Sequence, residues 1–151
     1  MTSTPQAQQL IRRFEGLRTQ AYRCPAGIPT IGYGHTQDVK IGDRITPEQA
    51  LELLLGDIAR TEARIDTLLQ APLNPNQYDA LVSFTYNIGA RQLAGSTLLR
   101  KINQNPDDPD IRRQFQRWIY AGGQPLPGLI RRRQAEADLY FTPPGPTTAN
   151  T

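Results

Sequence analysis

Three side chains in one short stretch have the types and spacing to cleave a bond. Glu15 is followed nine residues later by Cys24 and six residues after that by Thr30. A carboxyl group can protonate a leaving group, and a thiol or hydroxyl can orient or activate a water molecule. Glu15 falls at the predicted end of a helix, just before Gly16. The partial negative charge of a helix C-terminus disfavours an ionised carboxylate, which suits an acid that must arrive carrying its proton. Thr30 lies between Pro29 and Ile31, where its hydroxyl can hold water or its β-branch can simply favour a strand. Cys24 precedes Pro25. As a thiolate it could accept a proton from water; as a thiol it could only hydrogen-bond that water. An ordinary thiol pKa of about 8.5 leaves it mostly protonated at neutral pH. A nearby Glu15 is expected to push the thiol further up, and the adjacent Arg23 to act the other way.

These groups must be positioned by the elements around them. Residues 6–16 read as a short helix, with Leu10, Ile11 and Phe14 at helical spacing and Gly16 as its stop. Residues 17–43 carry recurrent Gly and Pro among strand formers such as Ile31, Tyr33 and Val39, and are predicted to form a small antiparallel sheet or hairpin. Thr46-Pro47-Glu48-Gln49 opens a long helix to about residue 70, with Leu51, Leu54, Ile58 and Ile65 on its apolar side. Asn74-Pro75-Asn76-Gln77 repeats that start signal. The helix it opens is apolar on most sides, so it is expected at the centre of the core, ending at Gly89. Further helices are predicted after Ser96, around Ile111–Ile119, and from Leu129 to Phe141. The last is basic in its first turns, at Arg131, Arg132 and Arg133, which opposes the helix dipole and calls for a nearby acid or anion. A helix, a small sheet and then a run of helices make an α+β domain over residues 6–141. Residues 1–5 are expected to be a loose N-terminal tail and 142–151 a disordered Pro/Thr-rich tail.

Composition narrows the class. The chain has 151 residues, of which 38% are hydrophobic and 21% charged, as expected of one soluble globular domain. Cys24 and His35 are the only cysteine and histidine, so no internal disulfide and no metal site or cofactor is expected. Neither a secretory signal nor a stable membrane anchor is predicted, which puts synthesis in the cytoplasm. Net charge is +3 and uneven: residues 91–151 carry 9 basic and 5 acidic side chains. A basic half suits an anionic polymer such as nucleic acid, cell-wall material or a membrane surface.

The order of motifs decides among these. EGLRTQAYRCPAGIPTIGYGHT (Glu15–Thr36), TPEQA (Thr46–Ala50), NQYDALVSFTYNIG (Asn76–Gly89), STLLRKIN from Ser96, and RWIYAGGQPLPGLIRRRQAEADLY (Arg117–Tyr140) together resemble the phage-type lysozymes, the endolysins of glycoside hydrolase family 24. Only the two tails fall outside the likeness. The resemblance implies a bilobal lysozyme-like fold, with a small β lobe and a larger helical lobe joined by the long helix and the substrate between them. It implies hydrolysis of the bond between N-acetylmuramic acid and N-acetylglucosamine in peptidoglycan, with no nucleic-acid partner. The family's pattern is a glutamate, an aspartate or cysteine nine residues on, and a threonine six further, which Glu15, Cys24 and Thr30 match. Glu15 is then the general acid, and Cys24 and Thr30 position or activate water. Where two carboxylates are usual, the thiol is the departure.

By the same resemblance Gly32, Tyr33, His35, Tyr86 and Asn87 are expected to face the cleft. Arg132 and Arg133 are expected to meet the saccharide or its peptide stem, with Glu136 pairing to Arg132 at i+4. Trp118 reads as a packing residue. The setting implied is a monomer made in a bacterial host and acting on the wall after a membrane-permeabilising partner, a holin, gives access. Three rival readings stand beside it: a lytic transglycosylase giving 1,6-anhydro products, a Cys24/His35 wall peptidase or amidase, and a non-catalytic wall-binding module.

Overall fold

A computed structural model describes residues 1–145. The first helix, α1 (Pro5–Glu15), has Pro at its start and ends at Gly16, whose φ of +72° lets the chain turn sharply while its N–H still reaches Arg12 O. Ala7 and Ile11 are its fully buried residues. Of residues 1–5, expected to be loose, Pro5 opens α1 and residues 3 and 4 are hydrogen-bonded to later helices. The Ser3 amide donates to Glu62 at 2.5 Å and the Thr4 amide to Asp79 at 2.8 Å. Both acids lie on helices far along the chain, long-range partners that the local sequence does not announce.

The chain then forms an antiparallel hairpin of β1 (Arg18–Arg23) and β2 (Pro29–Gly32), with Tyr22 opposite Thr30 and Arg23 opposite Pro29. Isolated bridges from Gln20 to Arg44 and from Ile31 to His35 extend this small lobe. The predicted Gly/Pro-rich sheet region is thus a hairpin, with its turn at residues 24–28.

The long helix α2 (Pro47–Leu68) follows, about 33 Å of continuous helix. Thr46 and Gln49 close a reciprocal capping box at its start, a device that stabilises a helix terminus by about 1 kcal/mol. Its Ala50 packs under β2: a Cβ on Gly32 would sit 3.6 Å from the Ala50 Cβ and 3.5 Å from Ile45 Cδ1. Helix α3 (Pro75–Ile88) repeats the capping box with Asn74 and Gln77. Every residue from Gln77 to Thr85 is buried, as expected of a central helix.

The remaining helices wrap α3: α4 (Ala90–Ala94), α5 (Thr97–Gln104), α6 (Ile111–Gln116) and α7 (Pro127–Tyr140). Ser96 caps α5, accepting from the Leu99 amide at 3.0 Å. The Phe84 ring meets Phe115 and Trp118 edge-on, at centroid distances of 5.2 and 5.9 Å. Trp118 is therefore a packing residue. Two features escape the sequence reading. A two-residue hairpin, β3 (Tyr120–Ala121) and β4 (Gln124–Pro125), occupies the AGGQPLPG loop, and α7 begins at Pro127 rather than Leu129. The result is the expected α+β architecture, a small β lobe and a helical body joined by α2. The predicted C-terminal tail lies outside the described residues from 146 onward. Among the described residues no helix is long and apolar enough to cross a membrane.

Candidate active site

Glu15 is the last residue of α1, with its side chain about one-fifth exposed. One carboxylate oxygen, Oε2, accepts from Arg132 Nη1 at 2.6 Å. The other, Oε1, faces Gly34: a Cβ built there would lie 2.8 Å from it and 3.8 Å from the Tyr86 ring. Gly34 also has φ of +81°, so both the backbone and the carboxylate demand glycine. Sequence reasoning missed this position, although it stands in the GYGH motif. The closest partner of the acid is thus a cation.

Arg132 is held by more than Glu15. Its Nε donates to Glu136 Oε2 at 3.1 Å and its Nη2 to the Ser83 carbonyl at 3.0 Å. The Ser83 hydroxyl donates to the same Glu136 oxygen at 2.6 Å. Glu136 is completely buried. Burial pushes its carboxyl up, while Arg133, Arg132 and Ser83 pull it back toward the ionised form. Arg133 lies 3.3 Å from Glu136, stacks 4.9 Å from the Phe84 centroid, and donates to Asn87 Oδ1. Burial lowers the Arg133 guanidinium to about 10, against the pull of Glu136. The acid demanded by the basic first turns of α7 is thus Glu136, together with Glu15. The expected i+4 pair forms. Arg133, however, is fully buried and underpins Asn87 instead of lining open space. Arg132 is almost as buried and turns its guanidinium to Glu15.

Cys24 and Thr30 lie on the small lobe, and neither is among the residues that line the two depressions flanking Glu15. Cys24 and Ile28 pair across the hairpin turn: the Cys24 amide donates to Ile28 O at 3.0 Å and the Gly27 amide to Cys24 O at 2.7 Å. The Thr30 hydroxyl is buried and donates to Ile28 O at 2.9 Å. The Cys24 thiol is lowered from its ordinary value, first by a hydrogen bond from the Ile28 backbone; partial burial opposes this, and the Ala26 backbone and Thr30 hydroxyl reinforce it. Neither Glu15, expected to push the thiol up, nor Arg23, expected to pull it down, is among the groups that shift it. The backbone of the turn thus favours an acceptor at position 24, whether thiolate or carboxylate.

The other expected residues are distributed between packing and cleft. The Tyr33 ring belongs to the core, its hydroxyl accepting from Arg12 Nε at 3.2 Å, while its carbonyl accepts from the Tyr86 hydroxyl at 2.5 Å. Burial raises Tyr86 well above the usual phenol range, so it stays a donor. His35 is buried, and its Nδ1 lies 2.7 Å from Asp57 Oδ2 on α2. Its partner is this carboxylate, which itself binds Arg60. Gly32 packs on α2 as described above.

Two depressions flank Glu15. One, of about 380 Å³, is lined by Gly34, Thr36, Asp57, Arg60, Arg64 and Tyr86, among others. The other, of about 470 Å³, is lined by Glu15 itself with Arg13, Phe14, Asn87, Leu126, Leu129, Arg131 and Arg132. Glu15 lines the second depression, and its Oε1 lies against Gly34, which lines the first; a lysozyme-like hydrolase seats its acid in such an open cleft beneath a small β lobe. The profile of the phage lysozyme family matches residues 12–136, and the chain belongs to that family of peptidoglycan-degrading enzymes. It is 49% identical over 135 residues to an endolysin of Acyrthosiphon pisum secondary endosymbiont phage 1, covering 87% of this chain and 92% of the relative. Among solved structures it is similar to the endolysin from Escherichia coli O157:H7 phage FAHEc1, with a TM-score of 0.83 and 36% identity over 97% of this chain and 98% of that one. It is also similar to the muramidase domain of SpmX from Asticaccaulis excentricus, with a TM-score of 0.85 and 38% identity over 95% and 99% of the two chains.

Proposed function

We infer that this chain hydrolyses the β-1,4 bond between N-acetylmuramic acid and N-acetylglucosamine in peptidoglycan, with Glu15 as the general acid. The observation that carries this reading is the seating of Glu15: a partly exposed carboxyl group between two depressions, with Arg132 at 2.6 Å. As the glycosidic oxygen takes the proton, negative charge develops on Glu15, and Arg132 is already in place to meet it. The buried contacts to Glu136 and Ser83 keep that guanidinium from following the substrate. Cys24 and Thr30 serve the water that attacks the anomeric carbon. The backbone around Cys24 favours its thiolate, which suits a group that takes a proton from that water. Likeness to the muramidase domain of SpmX supports the same bond specificity. The catalytic unit spans residues 6–141, acts as a monomer, and reaches the wall after a membrane-permeabilising partner gives access.

The test is the chemistry of the new ends. Purified peptidoglycan digested with the protein should yield reducing N-acetylmuramic acid by mass spectrometry. A 1,6-anhydro sugar would identify a transglycosylase, and new amino termini a peptidase or amidase; either product in place of reducing N-acetylmuramic acid sinks the muramidase assignment.

A further inference from the structure

Three tyrosine hydroxyls of the helical body donate to main-chain carbonyls: Tyr78 to Met1, Tyr140 to Pro106 and Tyr86 to Tyr33. Only the third bond lies beside Glu15. The Tyr33 carbonyl belongs to the peptide that joins Tyr33 to Gly34, and Gly34 is the residue that faces Glu15 Oε1. That peptide has little of its own to fix it. Gly32 and Gly34 flank Tyr33 with φ of +68° and +81°, and glycine rotates freely where other residues do not. Ile31 and His35 close the turn by exchanging both backbone bonds at 2.9 Å, which leaves residues 32–34 between them. Two side chains of the helical body then hold Tyr33. Tyr86, from α3, grips its carbonyl at 2.5 Å. Arg12 donates Nε to its hydroxyl at 3.2 Å and lies 5.3 Å from the centre of its ring. Arg12 and Glu15 share the last turn of α1, so Tyr33 docks beside the acid and Gly34 against it.

We propose that Tyr86 is a positioning residue for the acid: its hydroxyl holds the Tyr33–Gly34 peptide in the orientation that seats Gly34 against Glu15. The inference rests on the reading of Glu15 as the general acid. Tyr86, expected to face the cleft, does line the depression of about 380 Å³, but its hydroxyl is committed to the protein rather than to a sugar. Without that bond the peptide is free to turn about the glycine, Gly34 leaves its place, and Glu15 Oε1 loses the wall that holds it. A small displacement of a reacting group costs rate far more than affinity.

The experiment replaces Tyr86 with Phe, which keeps the ring and removes only the hydroxyl. Tyr140→Phe is the matched control: it loses the same kind of bond, at 2.6 Å, to a carbonyl outside both depressions. Kinetics on soluble glycan strands of peptidoglycan are measured at a temperature where melting curves show every variant folded. Tyr86→Phe should lower kcat at least about fivefold and leave KM within about twofold of the wild type. Tyr140→Phe should melt lower and keep its kcat. A raised KM at constant kcat would make the Tyr86 hydroxyl a substrate contact, and unchanged kinetics would make it a structural bond. An equal loss of kcat in both variants would trace the effect to general loosening. Each of these overturns the proposal. The bond is also read directly, from the NMR signal of a 13C-labelled Tyr33 carbonyl, which should move upfield in Tyr86→Phe and stay in place in Tyr140→Phe; an unmoved signal in Tyr86→Phe overturns the proposal as well. Glu15→Gln is assayed alongside. If it keeps the wild-type rate, the acid reading fails and takes the proposal with it; if it is inactive while Tyr86→Phe is unimpaired, only the role of Tyr86 fails.

Discussion

Replacing Glu136 with Gln is the sharpest stability test that the buried network allows. The carboxylate is fully buried and meets two guanidiniums, Arg132 at 3.1 Å and Arg133 at 3.3 Å, and the Ser83 hydroxyl at 2.6 Å. Glutamine keeps the shape but removes the charge. It leaves Arg133 with only the Asn87 side chain, and Arg132 with a partly exposed Glu15 and a carbonyl. Removing one partner of a buried ionic network typically costs about 3–5 kcal/mol, because the surviving charge stays desolvated. For a domain of this size, at roughly 2–4 °C per kcal/mol, melting should fall by about 6–20 °C. Urea unfolding should show a lower midpoint with an unchanged slope. Activity should fall by more than the loss of folded protein, since Arg132 no longer holds its place against Glu15. A loss below about 1 kcal/mol with full activity would refute the account of this network.

Three other expectations follow from single contacts. Gly34→Ala places a methyl 2.8 Å from Glu15 Oε1 at φ of +81°; a stability loss of about 1–2 kcal/mol and at least a tenfold drop in kcat are expected, and wild-type kinetics would show that Gly34 does not position the acid. Phe84→Ala removes a ring that meets Phe115 and Trp118 edge-on, so chemical unfolding should report a loss of about 3–5 kcal/mol. The Cys24 thiol is lowered first by the Ile28 backbone. Its depressed value means the thiolate is the favoured form above it and is lost as pH falls through it. Iodoacetamide should therefore label native protein with a midpoint below that of the urea-unfolded chain, and a native midpoint at or above it would contradict that lowering.

The legible parts of this fold are those written in neighbouring residues. Thr46 with Gln49 and Asn74 with Gln77 announce two helices because each cap is closed within three residues of chain. Gly16 and Gly89 end helices for an equally local reason, a backbone that must turn at positive φ. The Glu15, Cys24 and Thr30 spacing was visible as a motif, but not what surrounds each group. Arg132 reaches Glu15 across 117 positions and Ser83 reaches Glu136 across 53. No local pattern reports such contacts. The arginine run therefore divides in a way its sequence does not show: Arg133 is fully buried, Arg132 is buried yet lines the depression beside Glu15, and Arg131 is exposed. The thiol went astray for a related reason: its dominant influence is the backbone of its own turn, invisible in a list of side-chain charges.

The central claim is that Glu15 supplies the proton that breaks the glycosidic bond. Its most direct test is the rate at which the Glu15→Gln variant releases reducing ends from purified peptidoglycan, measured on protein whose melting curve shows it folded. Glutamine preserves the shape and the acceptor facing Arg132 but has no proton to give. The rate should fall at least about 100-fold, the usual contribution of a positioned acid. A folded variant that still cleaves within a few-fold of the wild-type rate would show that the acid lies elsewhere.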